Sequence, residues 1–97
     1  MGALQNLGNL VISQCPNEFS RVILNAKLDT DYAELKITYV LGNGQSLEAN
    51  PAGIVVADIH DILDDIREEM ARQAGSRWKT CVFTVEADGR FKLDVQY

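Results

Sequence analysis

The segment WKTCVFTVEADGRFKLDVQY, residues 78–97, decides the fold of this chain. Apolar residues alternate in two runs on either side of Ala87-Asp88-Gly89, a pattern typical of a β-hairpin. A two-residue loop at Asp88-Gly89 would set Phe83 against Asp94. A three-residue loop that includes Ala87 pairs apolar residues at three positions: Val85 with Phe91, Phe83 with Leu93, and Cys81 with Val95. Because a slip of one residue turns every side chain to the other face, we predict the three-residue loop.

Two further alternating runs lie in the first half of the chain. Residues 21–28 and 33–41 each place apolar side chains at every second position, as a half-buried strand does. The polar segment Asp29-Thr30-Asp31 between them predicts a turn. The apolar positions are Val22, Leu24, Ala26 and Leu28 in the first run, and Leu35, Ile37, Tyr39 and Leu41 in the second. The two runs are predicted to be antiparallel strands.

Gly42-Asn43-Gly44 predicts a second hairpin, into a short third strand. A two-residue Asn-Gly loop would place Leu47 opposite Val40. A three-residue loop, with Gly44 in the left-handed conformation, keeps apolar residues opposite one another. It places Leu47 opposite Tyr39 and Ala49 opposite Ile37. We therefore predict the three-residue loop here as well.

Two stretches show helical spacing of their apolar residues. Residues 3–14 predict a short helix, which Gly8 weakens and Pro16-Asn17 ends; its apolar positions are Leu4, Leu7, Leu10 and Val11. Residues 57–74 predict a long amphipathic helix ending at Gly75, with an apolar stripe of Ile59, Ile62, Leu63, Ile66 and Met70. Its start is predicted either at Asn50-Pro51, as cap and first residue, or near Ala57.

The predicted order is helix, three antiparallel strands, helix, two antiparallel strands. Strands grouped in this way, and not alternating strictly with helices, indicate an α+β fold. Its 97 residues predict a single domain, residues 1–97, with the long helix packed on one face of the sheet.

Charge and composition narrow the class of partner. Fourteen acidic against nine basic residues give a net charge of −5. This argues against binding nucleic acid or an anionic membrane and permits a basic protein partner. No apolar run approaches the ~20 residues of a membrane span, and no secretory signal is visible, so we predict a cytoplasmic protein. Cys15 and Cys81 are predicted to be small buried residues in a reducing compartment, with a single bridge as the alternative.

The sequence shows no motif for catalysis, for a metal or for a cofactor, and we predict that the protein is not an enzyme. His60 is the only histidine, and it lies beside Asp58 and Asp61. A general base or a metal ligand is one interpretation, but no suitable partner residue is recognisable. We predict that His60 is a surface or half-buried structural residue.

Carboxylates are concentrated on the long helix. Six of the twelve residues from position 58 to position 69 are acidic: Asp58, Asp61, Asp64, Asp65, Glu68 and Glu69. One interpretation is a solvated face whose first acids favour the positive end of the helix dipole. A second, more specific interpretation is a docking surface for a basic partner, and a third is metal binding by the carboxylates. These six residues are candidate partner-binding residues.

A second candidate surface is the sheet face opposite the core. Strict alternation places Trp78 and Val82 there, together with Ile23, Val40, Thr80 and Thr84. If both helices cover the first face, Trp78 and Val82 form an exposed apolar patch of the kind that marks an interface. The alternative is that one helix covers part of this face.

The last twenty residues resemble the closing segment of the YezG-like family of immunity proteins. That family typically ends in a tryptophan, a strand containing Phe-Thr, a turn with glycine, and a last strand containing Phe, Asp and Tyr. The matching positions here are Trp78, Phe83, Thr84, Gly89, Phe91, Lys92, Asp94 and Tyr97. The opening pattern, with Pro16, Glu18 and Phe19 after a helix, is similar as well.

This resemblance implies an immunity protein that binds and neutralises a cognate toxin domain. The partner would be the C-terminal domain of a toxin delivered by neighbouring cells, often a basic nuclease, held in a heterodimer without direct contact to nucleic acid. Contact-dependent growth-inhibition systems carry immunity proteins of this size. The alternative is a secretion-chaperone-like or other small α+β protein-binding module. A large toxin gene beside this one would favour the first, and a secreted effector gene the second.

Overall fold

The computed structural model describes residues 2–15, 19–28 and 33–97. Its elements are α1 (Ala3–Ile12), β1 (Phe19–Leu28), β2 (Ala33–Leu41), β3 (Ser46–Ala49), α2 (Gly53–Ala74), β4 (Thr80–Glu86) and β5 (Phe91–Gln96). This is the predicted α+β order. The first helix was predicted over residues 3–14 and ends two residues earlier, at Ile12. The predicted turn at Asp29-Thr30-Asp31 and the residues Pro16, Asn17 and Glu18 lie outside the described residues.

The strands form one antiparallel sheet in the order β3-β2-β1-β4-β5. The strand β1 is central because it pairs with its neighbour in sequence on one side and with β4 on the other. Ala26, for example, lies opposite both Leu35 and Cys81. The strands β3 and β5 are therefore the two edges of the described sheet.

Both predicted hairpin registers are confirmed. In the first, Leu47 lies opposite Tyr39. In the second, Phe83 lies opposite Leu93. The loops end in Gly44 and Gly89, whose φ angles of 90° and 93° fall in the left-handed region that other residues rarely adopt. The matching of apolar faces was therefore sufficient to fix both registers.

Both helices lie on one face of the sheet, and the core fills the space between them. The buried residues are Leu7, Val11, Val22, Leu24, Ala26, Leu28, Ile37, Ile59, Leu63, Ile66, Trp78, Cys81, Phe83 and Val85. Three residues of the predicted stripe on α2 are among them, and Ile62 and Met70 pack against the cluster. The long helix therefore packs on one sheet face as predicted. On the other side, the open face of the sheet, Asn25, Lys27 and Val82 are exposed.

The predicted position of Trp78 on the open face is wrong. Its side chain is fully buried in the core. Strict alternation through residues 78–80 would expose the indole and bury the charged Lys79 instead. Burying a large aromatic ring is favourable, whereas burying an unpaired ammonium group is costly. The alternation therefore breaks just before β4, so that Trp78 turns inward and Lys79 stays exposed.

The start of α2 lies between the two predicted positions. The helix begins at Gly53, and Ala52 precedes it in an extended conformation with no side-chain cap. The backbone N–H groups of Val55 and Val56 both donate to the Ala52 carbonyl, which closes the first turn. The end at Gly75 is as predicted. None of the helices in the described ranges is long and apolar enough to cross a membrane.

Glycine at position 8 weakens α1, and we expect Gly8→Ala to raise the free energy of unfolding by about 0.5–1 kcal/mol. An added Cβ would meet the Phe83 ring at 3.8 Å, an ordinary van der Waals contact. Gly89→Ala is the contrasting control, since its left-handed conformation should cost about 1–2 kcal/mol. Urea unfolding of both variants checks the two signs. A destabilised Gly8→Ala would show that α1 packs more tightly against β4 than this spacing allows.

Candidate partner-binding surface

The six acids of α2 fall into two groups with different electrostatics. Three of them are neutralised by arginines of the same protein. Arg67 contacts Asp64 at 3.3 Å, and Arg72 contacts Glu69 at 2.8 Å. The density of acidic residues in the sequence therefore overstates the free negative charge of the helix.

The third ion pair ties the end of α2 to the segment that follows it. Arg77 approaches Glu68 with two nitrogens, and its Nη2 lies 2.7 Å from Oε1. The hydrogen bond from Arg77 holds the pKa of the Glu68 carboxyl below its usual range. The pair thus favours the folded protein at neutral pH and is lost on acidification, when Glu68 takes up a proton. Both side chains are exposed, so water screens the interaction.

The remaining acids, Asp58, Asp61 and Asp65, form what we call the acidic stripe. Their spacing of three and four residues places them on one side of the helix. All three are exposed, and the side chain of Asp61 is 81% exposed. Within residues 2–15, 19–28 and 33–97, no lysine or arginine lies within salt-bridge distance of them. Among the described residues, the stripe is therefore a line of negative charges without a lysine or arginine counter-charge.

The acidic stripe follows the seam between the two helices. Asp58 and Asp61 border a shallow depression with Ile62 of α2. The wall contributed by α1 consists of Asn6, Asn9, Leu10 and Ser13. Asp65 borders a second depression one to two turns further along α2. The stripe thus lines two neighbouring concave surfaces on the helical side of the molecule.

The second depression, which we call the β5 groove, is apolar and lies between α1, α2 and the edge strand. Its volume is about 660 Å³. It is lined by Ala3, Leu4, Ile66, Met70, Phe91 and Leu93, and Asp65 and Glu69 stand at its rim. Phe91 is 41% exposed, although its ring also contacts Phe83 at a centroid distance of 5.9 Å. Sequence reasoning missed this groove, since it treated Phe91 only as a core residue of the last strand.

The open face of the sheet has a different character. Val82 is 37% exposed there, but Trp78 does not accompany it, so the predicted apolar patch is reduced. Its neighbours across the sheet, Asn25 and Asp94, are polar. Three ion pairs among the described residues lie on this face: Arg21 with Glu86, Lys36 with Glu48, and Lys92 with Asp94. Lys27 and Glu34, which have opposite charges, lie opposite each other on β1 and β2. Paired charges produce little net field, so the open face is the weaker candidate for binding a charged partner.

The single histidine and the two cysteines contribute no recognisable reactive centre. His60 Nδ1 lies 4.0 Å from an Asp61 oxygen on the exposed helix surface. Cys81 is a free thiol in the core, where burial raises its pKa to about 11. Burial also raises the pKa of the half-buried Cys15 thiol. Both thiols are therefore protonated at neutral pH. In the described part of the chain, no group of three or more His, Cys, Asp or Glu residues is arranged to hold a metal ion.

Comparison with known proteins identifies no family for this chain. A scan against protein-family models finds no matching family, and a search of curated proteins finds no match. The resemblance to YezG-like immunity proteins therefore stays a prediction from the residues that carry it. The candidate surfaces for a partner are the acidic stripe and the β5 groove.

Proposed function

We propose that the protein is an immunity protein that binds a basic toxin domain in the cytoplasm and neutralises it in a one-to-one complex. The observation that carries this proposal is the acidic stripe of Asp58, Asp61 and Asp65. These side chains lie on a well-packed helix, are exposed to solvent and have no lysine or arginine partner among the described residues. A binding protein, unlike an enzyme, needs a surface of this kind and no reactive group.

Electrostatics supports a basic partner. Like charges one turn apart on a helix are unfavourable by a few tenths of a kcal/mol, so folding alone does not favour the stripe. A basic domain that holds nucleic acid would be attracted to it and to the net charge of −5. Such complementarity mainly raises the association rate and excludes wrong partners. Both properties suit a protein that must capture a toxin soon after it enters the cell.

The test removes the three charges of the acidic stripe. It compares the resulting association rate with that of a variant that loses three acidic charges elsewhere. The variant Asp58→Asn, Asp61→Asn, Asp65→Asn should associate ten-fold or more slowly at low salt with the cognate toxin domain, which is to be sought in the product of the adjacent upstream gene. The matched control is Glu34→Gln, Glu48→Gln, Glu86→Gln, which removes three acids from the other side of the sheet. Its association rate should stay close to that of the native protein. Stopped-flow fluorescence at several salt concentrations measures both rates.

Two results would contradict the proposal in different ways. If both triple variants slow association equally, net charge and not the stripe steers the partner. If the product of the adjacent gene neither co-purifies with this protein nor is inhibited by it, the immunity function itself fails. A secretion-chaperone-like role would then be tested with the neighbouring effector genes.

A further inference from the structure

We propose that the β5 groove binds an extended segment of the partner, which adds to the free edge of β5 as a sixth strand and places lysine or arginine at two alternate positions beside Asp65 and Glu69. The partner is the basic domain of the proposed function, and in that respect this inference rests on it. Three independent properties of the groove lead to the proposal: an open backbone edge, an apolar floor, and an acidic rim.

The open edge follows from the hydrogen bonds of β5. This strand is hydrogen-bonded to β4 only, in the described sheet. The carbonyls of Arg90 and Gln96 accept bonds from the β4 side, from Glu86 and Lys79. In an antiparallel pair, residues bonded to the neighbour alternate with residues whose backbone groups point away from it. The N–H and C=O groups of Phe91, Leu93 and Val95 therefore point outward, where an added strand can bond to them.

This edge lacks the usual protection on the helical side. Exposed edge strands are commonly guarded by charged side chains, proline or a covering loop, because they invite pairing with other chains. Lys92 and Asp94 provide charge, but they lie on the open face. On the helical side, Phe91 is exposed and Leu93 is only partly covered. An added strand would therefore meet unpaired backbone groups and apolar side chains together.

The acidic rim specifies the side chains of the added strand. Asp65 and Glu69 are one helical turn apart, a rise of about 6 Å. Alternate residues of a strand are separated by about 6.6–6.8 Å, so two of them match this spacing. Lysine and arginine have apolar stems that can pack on Phe91 and Leu93 while their charged ends reach the carboxylates. The Arg72 ion pair of Glu69 is exposed and therefore weak enough to exchange.

A second copy of this chain fits the same edge less well. Antiparallel self-pairing centred on Leu93 would bring Lys92 opposite Asp94 of the other copy on the open face. On the helical side, however, the residues of β5 that face the groove are Phe91, Leu93 and Val95, none of which is cationic. The acidic rims of two copies would approach each other, and β5 supplies no cation to them on this side. Self-association is therefore an outcome of the test that would contradict the proposal.

The first experiment uses a short synthetic peptide of alternating lysine and valine, titrated into ¹⁵N-labelled protein and followed by NMR. The largest shift changes are expected at the amides of Phe91, Leu93 and Val95. The variant Asp65→Asn, Glu69→Gln should bind about three- to ten-fold more weakly. The control Glu34→Gln, Glu48→Gln removes two acids from the other side of the sheet and should bind like the native protein. A matched peptide of alternating glutamate and valine should not bind.

The second experiment uses the complex with the cognate toxin domain of the proposed function. The outward amides of Phe91, Leu93 and Val95 should exchange with solvent at least ten-fold more slowly in the complex than in the free protein. The inference would be overturned if the peptide shifted other amides or none. It would also be overturned if exchange at Phe91, Leu93 and Val95 were not slower in the complex. Concentration-dependent shifts of the β5 amides in the free protein would assign the edge to a second copy. Binding of the peptide without binding of the toxin would leave the groove in place and reject the immunity function.

Discussion

Replacing Trp78 with alanine is expected to lower the free energy of unfolding by about 3–5 kcal/mol, which is the largest loss from one side chain in this protein. The indole is fully buried and is the largest side chain in the core. Removing it deletes the apolar contacts of the ring and leaves a cavity that the surrounding strands and helices fill only in part. A domain of this size has a total stability of about 5–10 kcal/mol, so much of the variant would be unfolded under mild denaturing conditions.

Far-ultraviolet circular dichroism in urea measures this loss, since the variant has no tryptophan fluorescence. Trp78→Phe is the matched control. It keeps an aromatic ring and removes the indole N–H, which has no hydrogen-bond partner among the described residues. Its loss of stability should therefore be less than half that of the alanine variant. A loss below about 1 kcal/mol for Trp78→Ala would place the ring on the surface, as strict alternation predicted.

The second large effect is expected from Ile59→Ala, with a loss of about 2–5 kcal/mol. Ile59 is fully buried between α2 and the sheet. The same helix supplies a matched control of the same residue type, because Ile54 is 74% exposed near its first turn. Ile54→Ala should change stability by less than about 0.5 kcal/mol. Both substitutions remove the same atoms from the same helix, so their difference chiefly reports burial.

Urea unfolding followed by Trp78 fluorescence measures both isoleucine variants, since the buried indole reports on the core. Equal losses for the two variants would show that α2 does not pack across the sheet through its predicted stripe. Loss of the signal before the circular dichroism changes would show instead that unfolding is not two-state, and the free energies would then not be comparable.

The registers of the sheet were predictable because they depend on a local rule. In each hairpin, two loop lengths competed, and only one placed apolar residues opposite one another, as with Phe83 and Leu93. The stripe of α2 was predictable for a similar reason, since helical spacing is strict over many turns. The rule of alternation failed at Trp78, which lies two residues before β4. The pairing of β4 does not yet fix the direction of this side chain, so burial of the indole determines it.

The candidate site was predictable only in part, because ion pairing depends on tertiary geometry. The sequence showed six acids on one helix but not that Arg67, Arg72 and Arg77 neutralise three of them. The β5 groove could not be predicted from the sequence either. It depends on α1 and α2 meeting beside an edge strand, and residues such as Leu4 and Phe91 are far apart in the sequence.

The central place of β1 in the sheet has a consequence for how fast the chain folds. The hairpins are local and form within microseconds, but Ala26 pairs with Cys81 across a long intervening segment. Closing that loop costs conformational entropy before the hydrogen bonds and apolar contacts of the pairing form. Docking of the hairpin β4-β5 onto β1 should therefore limit the folding rate. Until it docks, Val22, Ile23 and Leu24 present an unpaired edge. The partly folded chain at this stage is therefore the species most exposed to intermolecular aggregation.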